Sequence, residues 1–217
     1  MNKLIITLAL CLVAFIANAQ VFLDYATIED IVKNEREYFN EIVEIYKNDD
    51  PMIRLDDIAL VYYGQAFLPQ YNPSNDQNEK ALKRFHDAGN HAEAYNTAKK
   101  IMEYNPVSLN ALFNLLISSK ELGKSQAEFD SYANKYQKLL NMITEYGKGN
   151  TADSPFKVIC PDDQNYVLFH ELEIEKEVSR ELDTETLCNI VVVEPSNKFQ
   201  FRRVYFDLSL FLKHTEK

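Results

Sequence analysis

The sequence predicts an α+β chain, an N-terminal tetratricopeptide-like helical superhelix followed by a small C-terminal antiparallel β-sheet. Three observations carry this. Apolar residues recur at three- and four-residue steps over most of residues 21–145, the period of helices with one buried face. Gly89 and Gly123, each following a helical run, stand 34 residues apart, the length of a tetratricopeptide unit. Beyond "YGKGNTADSP", residues 146–155, the texture changes to β-branched and aromatic residues. The expected division is a signal peptide at 1–19, a helical repeat-like region at 20–149, and a small β-rich region at 150–217 packed on the helices.

The N-terminal "MNKLIITLALCLVAFIANAQ" has one cation, Lys3, then an apolar run from Leu4 to Ile16, then Ala17-Asn18-Ala19 before Gln20. That is the layout of a secretory signal peptide with a small-x-small cleavage site. The run falls short of the roughly 20 helical residues that span a bilayer. Cys11 raises lipidation, but the preceding Leu8-Ala9-Leu10 puts a large Leu where a small residue is expected, and the apolar run continues past the cysteine. The expectation is export to the periplasm or beyond, with no membrane span after cleavage.

Residues 21–48 read as a helix through Tyr25, Ile28, Phe39, Ile42 and Tyr46, ended by "NDDP". Residues 52–69 read as a second helix, with Asp56 and Asp57 near its positive end and Ile58, Val61 and Tyr62 facing inward. "LPQYNPSN", residues 68–75, is a loop. A third helix covers 78–87, with Ala81, Leu82 and Phe85 on one side. If Pro106 closes a repeat, Gly89 falls at its turn, and Ala94, Ala98 and Ile101 face the packing side of its second helix. "LNALFNLLISSKELG" and "SQAEFDSYANKYQKLLNMI" then form the next pair. That unit is imperfect: Ala127 sits one place early, and no proline closes it. The competing reading is a plain helical bundle.

In the C-terminal part, "FKVI" (156–159), "TLCNIVVVE" (186–194) and "FQFRRVYFDL" (199–208) read as strands, and "EPSNK" as a hairpin turn between the last two. "HELEIEKEV", 170–178, reads as a half-exposed strand or as helix, and "PDDQNYVLFH" as a short helix capped by Asp162 or Asp163. Cys160 and Cys188 adjoin strands in a chain expected to be exported. They are either one disulfide or two buried thiols.

"LVYYGQAFLPQYNPSN", residues 60–75, joins Tyr62-Tyr63-Gly64 to Phe67 and to Tyr71-Asn72-Pro73. With the leader ending in Ala-Gln, "SPFKVI" and the closing "VYFDLS", this resembles a family of secreted proteins of the Bacteroides group, domain of unknown function 4919. The resemblance covers nearly the whole mature chain. It implies this architecture and an exported location. It brings no activity, cofactor or catalytic residues.

The formal net charge of −10 repels phosphate backbones, so no nucleic-acid partner is expected. No catalytic constellation stands out. His86 and His91 are five apart rather than at the i, i+4 spacing of a helical zinc pair, so no metal is expected, and neither is any cofactor. No G-x-S-x-G, phosphate loop or H-E-x-x-H occurs. Asp162 and Asp163 would raise the pKa of Cys160, which argues against a cysteine nucleophile.

The candidate binding residues are Tyr62, Tyr63, Gln65, Phe67, Tyr71 and Asn72, side chains of the kind that hold peptides or sugars. One of the adjacent tyrosines is expected to be partly exposed. The competing reading is that this helix and loop pack the helices against the sheet, tying hydroxyls to backbone. The leading functional expectation is a non-enzymatic module that holds a protein or peptide in a helical-repeat groove. One alternative is a hydrolase, or an accessory to one, acting on envelope or extracellular polymers through facing carboxylates. Another is a structural subunit of an envelope complex, betrayed by a large exposed apolar patch.

Overall fold

A computed structural model describes residues 24–215; the segment expected to be a signal peptide, residues 1–19, lies outside the described residues. Among them, seven helices come first: α1 (Tyr25–Asn34), α2 (Arg36–Lys47), α3 (Leu55–Gln65), α4 (Gln77–Asp87), α5 (His91–Tyr104), α6 (Leu109–Glu121) and α7 (Gln126–Glu145). Then follow β1 (Phe156–Lys157), α8 (Asp163–Tyr166) running into a turn of π-helix (Val167–Glu171), β2 (Glu177–Asp183), β3 (Cys188–Val193), β4 (Arg203–Asp207) and α9 (Ser209–Thr215). The α+β class holds.

The first expected helix is two. Glu35 leaves the helical region at φ −119° and ψ 47°, and the chain turns there. Both α1 and α2 then pack on α3. α3 is buried all round: every residue from Ile58 to Gln65 is buried. The uncharged run "IALVYYGQA" states this in advance, since a helix without a polar face has no solvent side. Both tyrosines of the pair are fully buried, against the expectation that one would be exposed. Tyr63 packs against Tyr25 of α1 at 5.6 Å between ring centroids, and Tyr62 packs edge-on against Tyr63 at 4.9 Å. Gly64 lets α2 approach. A Cβ there would lie 2.5 Å from Cε2 of the buried Phe39. Gly64→Ala is therefore expected to destabilise the protein by about 1–3 kcal/mol through overpacking, despite alanine's helix preference; urea unfolding measures it.

α4–α5 and α6–α7 are successive helical hairpins with the same turn. Gly89 and Gly123 take φ of 64° and 62°, a left-handed conformation that favours glycine. The N–H of Asn90 donates to the carbonyl of Phe85 at 2.9 Å, and that of Lys124 to Ser119 at 2.9 Å, the same closure 34 residues on. The second helices then diverge. Asn90 caps α5 and Ser125 caps α7, one residue later than the 34-residue period requires. Counted from its cap, Ala94 in α5 corresponds to the large Phe129 in α7, so the small contact residue does not recur.

The sheet order is β1-β4-β3-β2. The β3–β4 hairpin is antiparallel, as "EPSNK" predicts, and β2 pairs antiparallel with β3. β1 runs parallel to β4, so the sheet is mixed rather than wholly antiparallel. Parallel neighbours need a long crossover, here the whole chain from 158 to 202. "HELEIEKEV" contributes only its end to β2; its first residues belong to the π-turn. Cys160 and Cys188 are free thiols. Cys188 pairs with Asp207, which pairs with Lys157, so β4 lies between the two cysteine-bearing segments. Two strand spacings are roughly 10 Å, beyond the reach of about 7 Å between the Cα atoms of a disulfide.

Candidate functional site

A cleft of about 580 Å³ opens where α4 and α6, the first helices of the two hairpins, face the loop at 70–76 and the segment at 159–170. The tyrosine block builds this site from beneath. Tyr62 donates to Asp163 Oδ2 at 2.6 Å and accepts from the Ile159 N–H at 3.4 Å. Tyr63 donates to the Lys157 carbonyl at 3.2 Å, and Tyr71 to the Ile159 carbonyl at 2.6 Å. Gln65 Nε2 donates to the Tyr104 carbonyl at 2.9 Å. The three tyrosine hydroxyls clamp the chain leaving β1 and fix where α8 begins.

Of the six predicted residues, Gln65, Tyr71 and Asn72 line the cleft. Tyr62 and Tyr63 are buried, and Phe67 is partly buried against the core. Sequence reasoning missed the opposite wall. Glu79 on α4 accepts from the Ser108 hydroxyl at 2.7 Å and from Asn110 Nδ2 at 2.6 Å. Asn114 Nδ2 donates to Asn110 Oδ1 at 2.9 Å, and Tyr166 donates to the same oxygen at 3.0 Å. His86 Nδ1 lies 2.8 Å from Asn114 Oδ1. His86 thus faces the cleft while His91 opens the next helix. One signal was present: Asn110 and Asn114 are polar residues four apart in the apolar "LNALFNLLIS", and their side chains share one helix face. A third wall is aromatic. Phe113 meets His170 edge-on at 4.8 Å and Tyr166 at 5.5 Å, and the Tyr136 hydroxyl shares a hydrogen bond with His170 Nδ1 at 3.1 Å. Phe169 stands beside them, 46% exposed.

The electrostatics are acidic. Burial pushes the Asp163 carboxyl up to about 7, opposed by the Tyr62 hydrogen bond and reinforced by the nearby charges of Asp162 and Glu79. Burial also raises Glu79, opposed by its hydrogen bonds from Ser108 and Asn110. Burial, and after it Asp163, pushes the Cys160 thiol well up, which leaves it protonated and a poor nucleophile. Among the described residues no ion pair reaches Glu79, Asp162 or Asp163, and no group of three His, Cys, Asp or Glu side chains is placed to hold a metal. No described helix is long and apolar enough to cross a membrane.

The sequence model of a domain of unknown function (DUF4919) matches residues 26–217. The chain belongs to this family. The match begins just after the start of α1 and runs through α9, so the clefted helices and the sheet fall within one family unit. No curated protein and no solved structure matches the chain.

Proposed function

We propose that the protein is an exported binding module that holds a short peptide segment in this cleft. The observation that carries the reading is the cleft itself: a concavity of about 580 Å³, within the usual range of ligand sites. Its walls combine amide side chains (Asn72, Asn110, Asn114, Asn165) with aromatic ones, and its floor is locked by buried hydrogen bonds. Amides answer a peptide backbone, and rings supply contact area at little entropic cost. The leader-like N-terminus supports export.

The test is selection of binders from a random peptide library on the mature protein from Gln20 onward. Phe169→Ala serves as the control, because this exposed ring can be removed without opening the core. Peptides enriched on the native protein and lost on a folded Phe169→Ala variant support the reading. No enrichment, or enrichment indifferent to the variant, overturns it.

One observation favours a second reading. Glu79, Asp162 and Asp163 line one cleft, and two of them have raised pKa values, the arrangement a carboxylate hydrolase of envelope polymers would use. Release of reducing ends or free amines from envelope polysaccharide or peptidoglycan by the native protein, abolished in Asp163→Asn, is its signature. Absence of release excludes it.

A further inference from the structure

Resting on the peptide-binding reading, we infer that the cleft anchors its ligand through a cation, the ammonium of a lysine or the guanidinium of an arginine. Acids outnumber bases on its walls. Asp76, Glu79, Asp87, Asp162 and Asp163 face two lysines, Lys80 and Lys83, and Lys83 is already engaged with Asp87 at 3.1 Å. Asp76 is occupied in turn: it caps α4 and accepts from Tyr104 at 2.7 Å. Glu79, Asp162 and Asp163 have no cation partner: the half-buried Glu79 and the buried Asp163 are held only by neutral hydrogen-bond donors, and Asp162 is open to solvent at the same cleft, so an incoming positive charge is favoured there.

Two further features ask for the same chemistry. Asn105 Oδ1 belongs to a cleft-lining residue, is shut off from solvent, and accepts no hydrogen bond. An acceptor without a partner is completed by an N–H donor, and ammonium and guanidinium groups are donors only. The aromatic wall of Phe113, Tyr166, Phe169 and His170 offers ring faces and edges within the same cavity. Cations bind ring faces within about 6 Å. A carboxylate or phosphate ligand would meet repulsion from every unpaired carboxylate in the site.

The experiment reads the composition of the peptides enriched in the library selection, then titrates one enriched lysine- or arginine-containing peptide by calorimetry. Asp162→Asn is the principal variant. Its side chain is exposed and makes no capping hydrogen bond, so the fold does not depend on it. Enrichment of basic residues at a fixed position is expected, with affinity about tenfold weaker in Asp162→Asn and a marked loss on raising salt. Asp163→Asn, which keeps an oxygen to accept from Tyr62, is expected to weaken binding as well, most clearly above about pH 7, where the Asp163 carboxyl is ionised. Enrichment of neutral or acidic peptides, or basic peptides whose affinity ignores both variants, overturns the cation inference while leaving the cleft as a binding site. A selection without enriched peptides overturns both.

Discussion

Replacing Asp163 by asparagine is expected to make the protein more stable at neutral and alkaline pH and to flatten its pH dependence. Asp163 is buried, and its carboxyl is pushed from the ordinary 3.8 up to about 7, chiefly by that burial. The folded state therefore holds a proton that the unfolded chain has released between about pH 4 and pH 7. Stability falls as pH rises through that window and is level above it. The difference of about 3 pH units corresponds to about 4 kcal/mol as an upper figure. The amide oxygen of the Asp163→Asn variant would accept from Tyr62 as the carboxylate does, and the side chain would never ionise. Unfolding midpoints of the two proteins should nearly coincide at about pH 4, separate in favour of the variant with rising pH, and run parallel above about pH 7. Glu79 shifts in the same direction and is present in both proteins, so the difference reports Asp163. A gap that stays constant across pH would mean that Asp163 ionises freely.

The second large effect is expected at Tyr62. Truncation to Ala removes a fully buried ring that packs on Tyr63, and it deletes the clamp on α8. A loss of about 3–5 kcal/mol is the expected scale. Tyr62→Phe separates the two contributions. It keeps the ring and removes the donor to Asp163, at a cost of about 1–3 kcal/mol. That donor holds the Asp163 pKa down, so its loss raises the pKa further. The penalty of Tyr62→Phe must then be larger at about pH 8 than at about pH 5. Denaturant titrations at the two pH values check both the size and the sign.

Tyr62 and Asp163 also mark the boundary of what was legible in the sequence. The helical period, the Gly89–Gly123 spacing and the strand-like C-terminus are local signals, and the architecture follows from them. The "YYGQ" block is visible as unusual, but its role depends on neighbours far along the chain: Tyr62 meets Asp163, 101 residues away, and Tyr71 meets Ile159, 88 residues away. The same distance hides the cleft. Glu79 and Asp163 are ordinary acids in the sequence and come to line one cavity only because β1 delivers residues 158–163 onto α3. The mixed sheet escaped for a related reason. The two residues of β1 carry no directional signal, and their parallel pairing with β4 is set by the crossover between them. Asn110 and Asn114 were legible in principle, as amides spaced one turn apart within an apolar helix.

If α4, α6 and the 159–170 segment form the working surface, with the tyrosine block as its support, a bound ligand must report there and nowhere else. Two-dimensional amide NMR of the protein from Gln20 onward, titrated with a peptide enriched by selection, reads this residue by residue. Saturating shifts are expected at Asn110, Asn114, Asn165, Phe169 and His170, with the β2–β3 hairpin unmoved. Shifts confined to the sheet, or spread over the outer faces of α1 and α2 while the cleft stays silent, would contradict it.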